Sequence, residues 1–230
     1  MAPAGFSAML AAVRGPPDGE VMPLTWFERP LLALAAIVLP ATLLHAALQN
    51  PAEAPGPASL AGQVLIAAPT LRDPRFDHTV VLIVRHNVGG ALGIVLNHPV
   101  GERPLASLLD AIGEKDSTAT GTLRIFSGGP VQPEVGFVIH STDYHRPEKV
   151  EINARVAMTS SREILRDIAS QHGPEKVLVA FGYAGWAGGQ LEGELAQRAW
   201  FTATADSRLI FDLDRDKVWD DAMAHHTQEL

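Results

Sequence analysis

The sequence predicts an α+β domain that follows an apolar N-terminal extension. Short runs rich in β-branched residues mix with short amphipathic helices without strict strand–helix–strand alternation, which favours α+β over a doubly wound fold. Hydrophobic residues make up 47% of the 230 residues and charged residues 19%, so the chain can form a core and wholesale disorder is excluded. The chain has no cysteine, which excludes disulfides, thiol nucleophiles and iron–sulfur ligation.

Residues 1–59 form the extension and residues 60–230 the domain. An apolar segment at 31–48 contains no Asp, Glu, Lys or Arg, and a Pro-rich linker follows it. Its length is at the lower limit for spanning a bilayer, and Pro40 interrupts it. Three interpretations remain open: an export signal or membrane anchor, a buried helix, or a start codon assigned too early.

Within the domain, β-branched and apolar runs bounded by turn residues predict the strands. The predicted strands are Val64–Ala68, Thr79–Val84, Ala91–Leu96, Thr122–Phe126, Gly136–His140, Arg155–Met158, Lys176–Phe181 and Arg208–Phe211. The second and third are predicted to form a hairpin, because an Asn-Val-Gly-Gly turn separates them.

Apolar residues at helical spacing predict four helices. They are Pro104–Ile112, a helix capped by Ser160 and Glu163 that stops before Gly173, Gln190–Trp200, and Asp214–Ala224.

Three glycine-rich or charged strings are candidate ligand-binding loops. Gly182–Gly189 lies between a predicted strand and a helix start, where free N–H groups can hold an anion, although a tight turn that packs Tyr183 and Trp186 is the favoured alternative. Gly128 and Gly129 present N–H groups or simply leave the sheet sharply. Asp73–Phe76 either offers a carboxylate and a guanidinium or forms an Asp-capped turn with Phe76 in the core, and the turn is favoured.

The histidines suggest metal binding or catalysis only weakly. His140, Asp143 and His145 are close in sequence and His86 lies on another strand, yet no helical pair or HExxH spacing supports a metal site, and none is predicted. A serine nucleophile with His86 or His140 as base would need an adjacency that sequence does not show.

The charge argues against direct nucleic-acid binding. The chain has 18 basic and 26 acidic side chains, with a net charge of −8, and no run of three Lys or Arg. Neutralising phosphates requires a basic patch.

An ordered series of motifs resembles the YqgE/AlgH family of largely uncharacterised bacterial proteins. The motifs are Val64–Pro69, Asp73–Phe76, His86 with Gly90–Gly93, Asn97–Pro99, Gly128–Val131, Gly136–Ser141, Thr159–Leu165, Gly182–Trp186, Gly189–Glu192, Ala199–Phe201, Ile210–Asp212 and Trp219. The resemblance implies a bifurcated, mainly antiparallel sheet that forms a small barrel-like core surrounded by helices. It also implies a cytoplasmic protein with no established reaction or cofactor, and one branch carries a transcriptional-regulator label.

The leading expectation is a non-enzymatic regulatory protein that binds a small polar ligand or a protein partner in a glycine-rich pocket, with no cofactor and no metal. The residues expected to line the pocket are Asp73, Arg75, His86, Asn97, Gly128, Gly129, His140, Tyr183 and Trp186. The alternatives are a hydrolase with His86 or His140 as general base and a transcriptional regulator. A membrane-anchored or exported protein, in contact with the membrane through 31–48, is the alternative to a cytoplasmic one.

Overall fold

The structure, a computed structural model, describes residues 59–114 and 119–226. The apolar segment 31–48 and its linker lie outside the described residues, so the interpretations of that segment stay predictions. Within these two ranges, no helix is long and apolar enough to cross a membrane.

Strands dominate the described part of the chain. The strands are β1 Gln63–Ala67, β2 Val80–Asn87, β3 Gly90–Val95, β4 Pro99–Pro104, β5 Thr122–Ser127, β6 Val131–Ser141, β7 Val150–Asn153, β8 Val156–Thr159, β9 Val177–Ala187 and β10 Trp200–Thr204. The α-helices are α1 Leu105–Ala111, α2 Glu163–Ala169, α3 Gln190–Ala196 and α4 Val218–Ala224. A 3-10 turn spans Pro74–Phe76 and a π-helical turn spans Arg208–Asp212.

The strands form one mainly antiparallel sheet that divides at β9. The main order is β10-β1-β2-β3-β9-β6-β8-β7, with β4 and β5 off this path. The C-terminal half of β9 pairs with β3, where Gly93 lies opposite Ala184. Its N-terminal half instead pairs in parallel with β5, where Ile125 lies opposite Val179. This division confirms the bifurcated sheet that the family resemblance implied.

The sheet curls so that its two ends meet and enclose a core. At the meeting point, the Asn153 side-chain amide donates a hydrogen bond of 3.2 Å to the Ala205 carbonyl. Because side chains alternate along a strand, Val80, Leu82 and Val84 point into this barrel core. Val81 and Ile83 point outward.

Helices cover the outer surface of the sheet in two places. We call the outer cluster under α3 the α3 cluster; it contains Leu65, Ala67, Val81, Ile83, Ala91, Val95, Ala184, Trp186, Leu191 and Trp200. We call the outer cluster under α1 and α2 the α1–α2 cluster; it contains Ile125, Val138, Tyr144, Ile164 and Val179.

One predicted helix ends earlier than expected, and one predicted strand is wrong. The helix predicted for Gln190–Trp200 ends at Ala196, because Arg198 adopts a φ of 56° and the chain then enters β10. The strand predicted for Arg208–Phe211 is the π-helical turn, in which the Asp206 carboxylate accepts the Leu209 N–H at 2.7 Å.

The predicted helix starts also need correction. Ser160 does not cap α2: the N-cap position is Arg162, without a side-chain cap, and the Ser161 hydroxyl donates to Glu163. Helix α4 begins at Val218, later than the predicted Asp214. Strands β4 and β7 were not predicted, because their short segments lack a run of β-branched residues.

Candidate functional site

In the structure, the backbone of the predicted glycine-rich loop lies directly against the backbone at Gly128 and Gly129. Strand β9 continues through this segment to Ala187, so Gly182 lies within a strand. Gly129 and Gly182 have φ values of 147° and 76°. A Cβ on Gly129 would lie 2.2 Å from the Tyr183 carbonyl carbon, and one on Gly128 would lie 2.3 Å from the Gly182 oxygen. The Gly128 N–H donates to the Phe181 carbonyl at 2.7 Å, so it is occupied by main chain.

Asp73 and Arg75 bind each other in an exposed turn. Asp73 caps the 3-10 turn by accepting the Arg75 N–H, and the Arg75 guanidinium donates to the same carboxylate at 2.6–3.2 Å. These hydrogen bonds hold the pKa of Asp73 below its usual range. Phe76 packs edge-on against Trp200, with ring centroids 5.5 Å apart, which confirms the Asp-capped turn.

Asn97 fastens the end of β3 to the start of β2. Its side-chain oxygen accepts the Val80 N–H at 2.9 Å, and its amide donates to the His78 carbonyl at 2.7 Å. Beside it, His98 Nε2 lies 3.0 Å from Thr79 Oγ1, and burial lowers the pKa of His98. The Asn97 amide is therefore engaged by main chain on both sides.

His86 is buried and both of its ring nitrogens have partners. The Leu60 N–H donates to Nδ1 at 3.1 Å. The proton of the neutral ring therefore lies on Nε2, which donates to the Glu192 carboxylate at 2.9 Å. In this arrangement the lone pair that a general base needs is already occupied.

The two predicted aromatic residues lie on opposite sides of the sheet. Trp186 belongs to the α3 cluster, where its indole N–H donates to Glu194 at 2.8 Å, and the indole of Trp200 donates to the same oxygen at 2.8 Å. Tyr183 lies in the barrel core, edge-on to Phe137, and burial raises the pKa of Tyr183.

His140 is fully buried on β6, on the outer surface of the sheet. Its Nδ1–H donates to the Ser141 carbonyl at 2.9 Å, while Nε2 has no hydrogen-bond partner in the described part of the chain. Its ring stands edge-on to Tyr144, with centroids 5.3 Å apart. Burial holds the pKa of His140 below its usual range. The imidazole is therefore neutral and sealed from solvent.

A polar cleft of about 270 Å³ opens beside Tyr144. The Tyr144 hydroxyl donates to Asp167 at 2.5 Å, and Arg146 donates three further bonds to that carboxylate at 2.7–3.0 Å. Burial and the hydrogen bond to Asp167 raise the pKa of Tyr144 to about 12. These groups satisfy one another and fasten the loop after β6 to α2.

We expect the stability of the protein to fall as the pH falls below about 6.5, the ordinary histidine pKa. Native His140 stays neutral while the unfolded chain takes up a proton, so the unfolded state binds more protons and the free energy of unfolding decreases. One such group contributes at most about 1.4 kcal/mol per pH unit, and His98 acts in the same direction. His140→Leu should flatten the curve measured by urea unfolding between pH 5.5 and 7.5.

The control for this experiment is His225→Leu, because His225 is exposed. That variant measures how much the slope changes when an exposed histidine is removed, and His140→Leu should change the slope more. If the stability curves of the native chain and His140→Leu run parallel with pH, the loss of stability does not come from proton uptake by His140 on unfolding.

The nine residues predicted to line one pocket are thus distributed over several parts of the fold. His86 and Trp186 interact with α3, Tyr183 lies in the barrel core, and His140 lies on the outer surface near α2. The sequence indicated that these residues lie near the ends of strands. It did not indicate whether each side chain points into the barrel core or to the outer surface of the sheet.

A cavity that sequence reasoning missed lies between α1, α2 and the outer surface of β6 and β9. Its volume is about 70 Å³. It is lined by Leu108, Ala111, Ile112, Gly136, Phe137, Val138, Ser160, Ser161, Arg162, Leu165, Val179 and Phe181. We call it the α1–α2 cavity. Its lining is apolar except for the two serines and Arg162, and Arg162 makes one long hydrogen bond, 3.4 Å, to the Ile112 carbonyl.

The Ser-Ser-Arg string after β8 was the available sequence signal for this cavity. The same string has the pattern of a helix cap, with Glu163 three residues after Ser160, so the sequence predicts a cap there and not a ligand-binding group. Among the described residues, no group of three His, Cys, Asp or Glu side chains has the arrangement of a metal-ligand set.

Comparison with known proteins places this fold in a family. Residues 64–230 match the sequence profile of the AlgH-like family. The chain belongs to that family. A UPF0301 protein from Methylococcus capsulatus is 40% identical over 177 residues, which cover 76% of this chain and 97% of the relative. One from Thioalkalivibrio sulfidiphilus is 43% identical over 162 residues, which cover 70% of this chain and 87% of the relative.

Solved structures share the AlgH-like fold. The solution structure of the AlgH protein from Pseudomonas aeruginosa has a TM-score of 0.64 and 39% identity, over 74% of this chain and 90% of that one. The crystal structure of a protein from Corynebacterium diphtheriae has a TM-score of 0.57 over 77% of this chain and 92% of that one, and at 22% identity it supports the fold alone.

Proposed function

We propose that this AlgH-like protein is a non-enzymatic regulatory protein that binds a small ligand in the α1–α2 cavity. The observation that carries the proposal is the cavity itself: a preformed apolar space with a few polar groups on its wall is the usual form of a small-molecule site. The polar cleft near Tyr144 is a weaker candidate, because its charged groups are paired with one another.

The hydrolase alternative has less support. A general base must reach its substrate with a free lone pair. The Nδ1 lone pair of His86 accepts the Leu60 N–H, and His140 is fully buried. The lone pair of His86 is therefore occupied, and the ring of His140 is out of reach of a substrate.

A regulatory role through a protein partner follows from the position of α1. Helix α1 forms one wall of the cavity and directly follows β4, whose residues Pro99–Pro104 are all exposed. Ligand binding under α1 would therefore change a surface that a partner can contact. Direct DNA binding is disfavoured by the net charge of −8.

A thermal-shift experiment with small acids, amines and alcohols of four to six carbons tests the proposal. A ligand present at about 100 times its Kd should stabilise the native chain by about 2.7 kcal/mol, which raises Tm by roughly 5–10 °C. Ala111→Phe should abolish the shift, because the new ring fills the cavity.

Ala169→Phe is the matched control. Ala111 and Ala169 are the last residues of two helices of equal length, but only Ala111 lines the cavity. The control should keep the ligand-induced shift. If no member of the panel raises Tm, or if Ala111→Phe responds like the native chain, the proposal fails.

A further inference from the structure

We infer that the α1–α2 cavity takes a short aliphatic monocarboxylate, with the carboxylate at Arg162 and the alkyl chain inside. This inference rests on the proposed function and adds the chemical class of the ligand. It depends on the hydrogen-bonding capacity of the polar lining, the volume of the cavity and the charges around it.

Arg162 is the cation in the cavity lining, and in the described part of the chain most of its N–H groups are free to donate hydrogen bonds. The neighbouring Arg166 forms an ion pair with Glu114 at 2.9 Å, and Glu163 accepts the Ser161 hydroxyl. In the described ranges, the Arg162 guanidinium has no ion pair within 4.0 Å, and its one hydrogen bond is long. Its charge acts on the neighbouring Glu163, whose pKa is lowered first by the Ser161 hydrogen bond and further by Arg162. A planar guanidinium with free N–H groups matches a carboxylate in a two-bond arrangement.

The Ser160 hydroxyl adds a second polar group to the cavity wall. Among the described residues it has no hydrogen-bond partner, whereas the hydroxyl of Ser161 is engaged by Glu163. A carboxylate has two oxygens, so one ligand oxygen can accept from Ser160 while both face Arg162.

The remainder of the lining selects an alkyl chain. Apart from Arg162 and the two serines, the lining side chains are aliphatic or aromatic, with one glycine. A volume of about 70 Å³ holds about five to seven water-sized groups, at 10–15 Å³ for each. The alkyl chain of a four- to six-carbon acid therefore fits in this space, with the carboxylate at the wall beside Arg162.

The same charges disfavour other ligand classes. An alkylammonium would place a second cation beside Arg162. A phosphate ester would bring more negative charge to a site where Glu163 directly follows Arg162. Among the described residues, the neighbouring cation Arg166 is already paired with carboxylates. A singly charged anion with a compact apolar group avoids both the repulsion from Arg162 and the excess of negative charge near Glu163.

Calorimetric titration of the full chain with pentanoate, 1-pentanol and pentylammonium tests the class. Pentanoate should bind at least tenfold more tightly than the other two. From propanoate to pentanoate, each added methylene should tighten Kd by about fourfold, because burying one methylene favours binding by about 0.8 kcal/mol. Acids with more than six carbons should gain nothing further.

Arg162→Gln should weaken pentanoate binding at least tenfold and leave any binding of 1-pentanol unchanged. Arg166→Gln is the matched control and should change pentanoate binding less than twofold, because Arg166 does not line the cavity. If 1-pentanol binds as tightly as pentanoate, or if Arg162→Gln has no effect, the inference is overturned while the binding function stands. If none of the three compounds binds, the proposed function fails as well.

Discussion

Replacing Gly129 with alanine should destabilise the protein severely. The new methyl group would lie 2.2 Å from the Tyr183 carbonyl carbon and 2.4 Å from the Ala184 nitrogen, so two backbones would have to separate. The residue also has a φ of 147°, which alanine rarely adopts. We expect a loss of more than about 4 kcal/mol, which places the variant among the most destabilising single substitutions. Far-UV circular dichroism and urea unfolding measure it.

Gly193→Ala is the matched control for this substitution. Gly193 lies inside α3, no atom would lie within 4 Å of its new Cβ, and its φ is not positive. Alanine there should stabilise the protein by about 0.5–1 kcal/mol. A well-folded Gly129→Ala variant would show that the two backbones do not cross closely, and would restore the interpretation of Gly128 and Gly129 as ligand-binding residues.

Removing the Glu194 carboxylate should have the second largest effect. One oxygen of Glu194 accepts the indole N–H groups of both Trp186 and Trp200, and the other accepts the Gln190 amide at 2.8 Å. Both tryptophans are 3% exposed, so Glu194→Ala leaves two buried donors without an acceptor. We expect a loss of about 3 kcal/mol, which lowers Tm by roughly 6–12 °C. Differential scanning calorimetry measures the change.

Glu194→Gln provides the comparison, because its amide oxygen keeps one acceptor for the indoles without the charge. Its Tm should lie between those of the native chain and Glu194→Ala, and tryptophan fluorescence should change least in this variant. A Glu194→Ala protein with the native Tm would mean that the shared carboxylate does not hold the two tryptophans together.

Local patterns predicted most of the sheet, because period-two alternation is written directly in the sequence. The hairpin of β2 and β3 is an example: Val80–Val84 alternate between the barrel core and the α3 cluster. The glycine turn between the strands marks where the chain reverses. The α+β class could therefore be derived from the residues, whereas the bifurcation at β9 came from the family resemblance.

Strand pairing and side-chain hydrogen bonds decided the elements that were predicted wrongly. Trp200 follows a helical pattern in sequence, yet it pairs with Ala67 as the start of β10. The apolar run around Ile210 has the composition of a strand, but Arg215 donates to the Ile210 and Leu213 carbonyls and stabilises a π-helical turn instead. Ala67 is far from Trp200 in sequence, and Arg215, although close to the turn, acts through its side chain. Strand and helix propensities include neither interaction, so they could not indicate the outcome.

The candidate site was hidden from the sequence for a similar reason. The chemistry of glycines and histidines predicts ligand binding, but in the structure these residues stabilise the fold. Gly129 lies against the backbone of Tyr183, and His86 accepts the Leu60 N–H. The α1–α2 cavity is formed mainly by aliphatic and aromatic side chains from four elements. Only the packing of α1 and α2 on the sheet makes them a cavity, and no local pattern encodes that packing.

The most direct test of the binding site is methyl NMR of the full chain during titration with pentanoate. We expect shifts at the methyl groups of Leu108, Val138, Leu165 and Val179, which line the cavity. The methyl groups of Leu65, Val81 and Leu191 in the α3 cluster should not move, because that cluster lies under a different helix. Shifts confined to the α3 cluster, or no shifts at saturating pentanoate, would contradict a ligand site under α1 and α2.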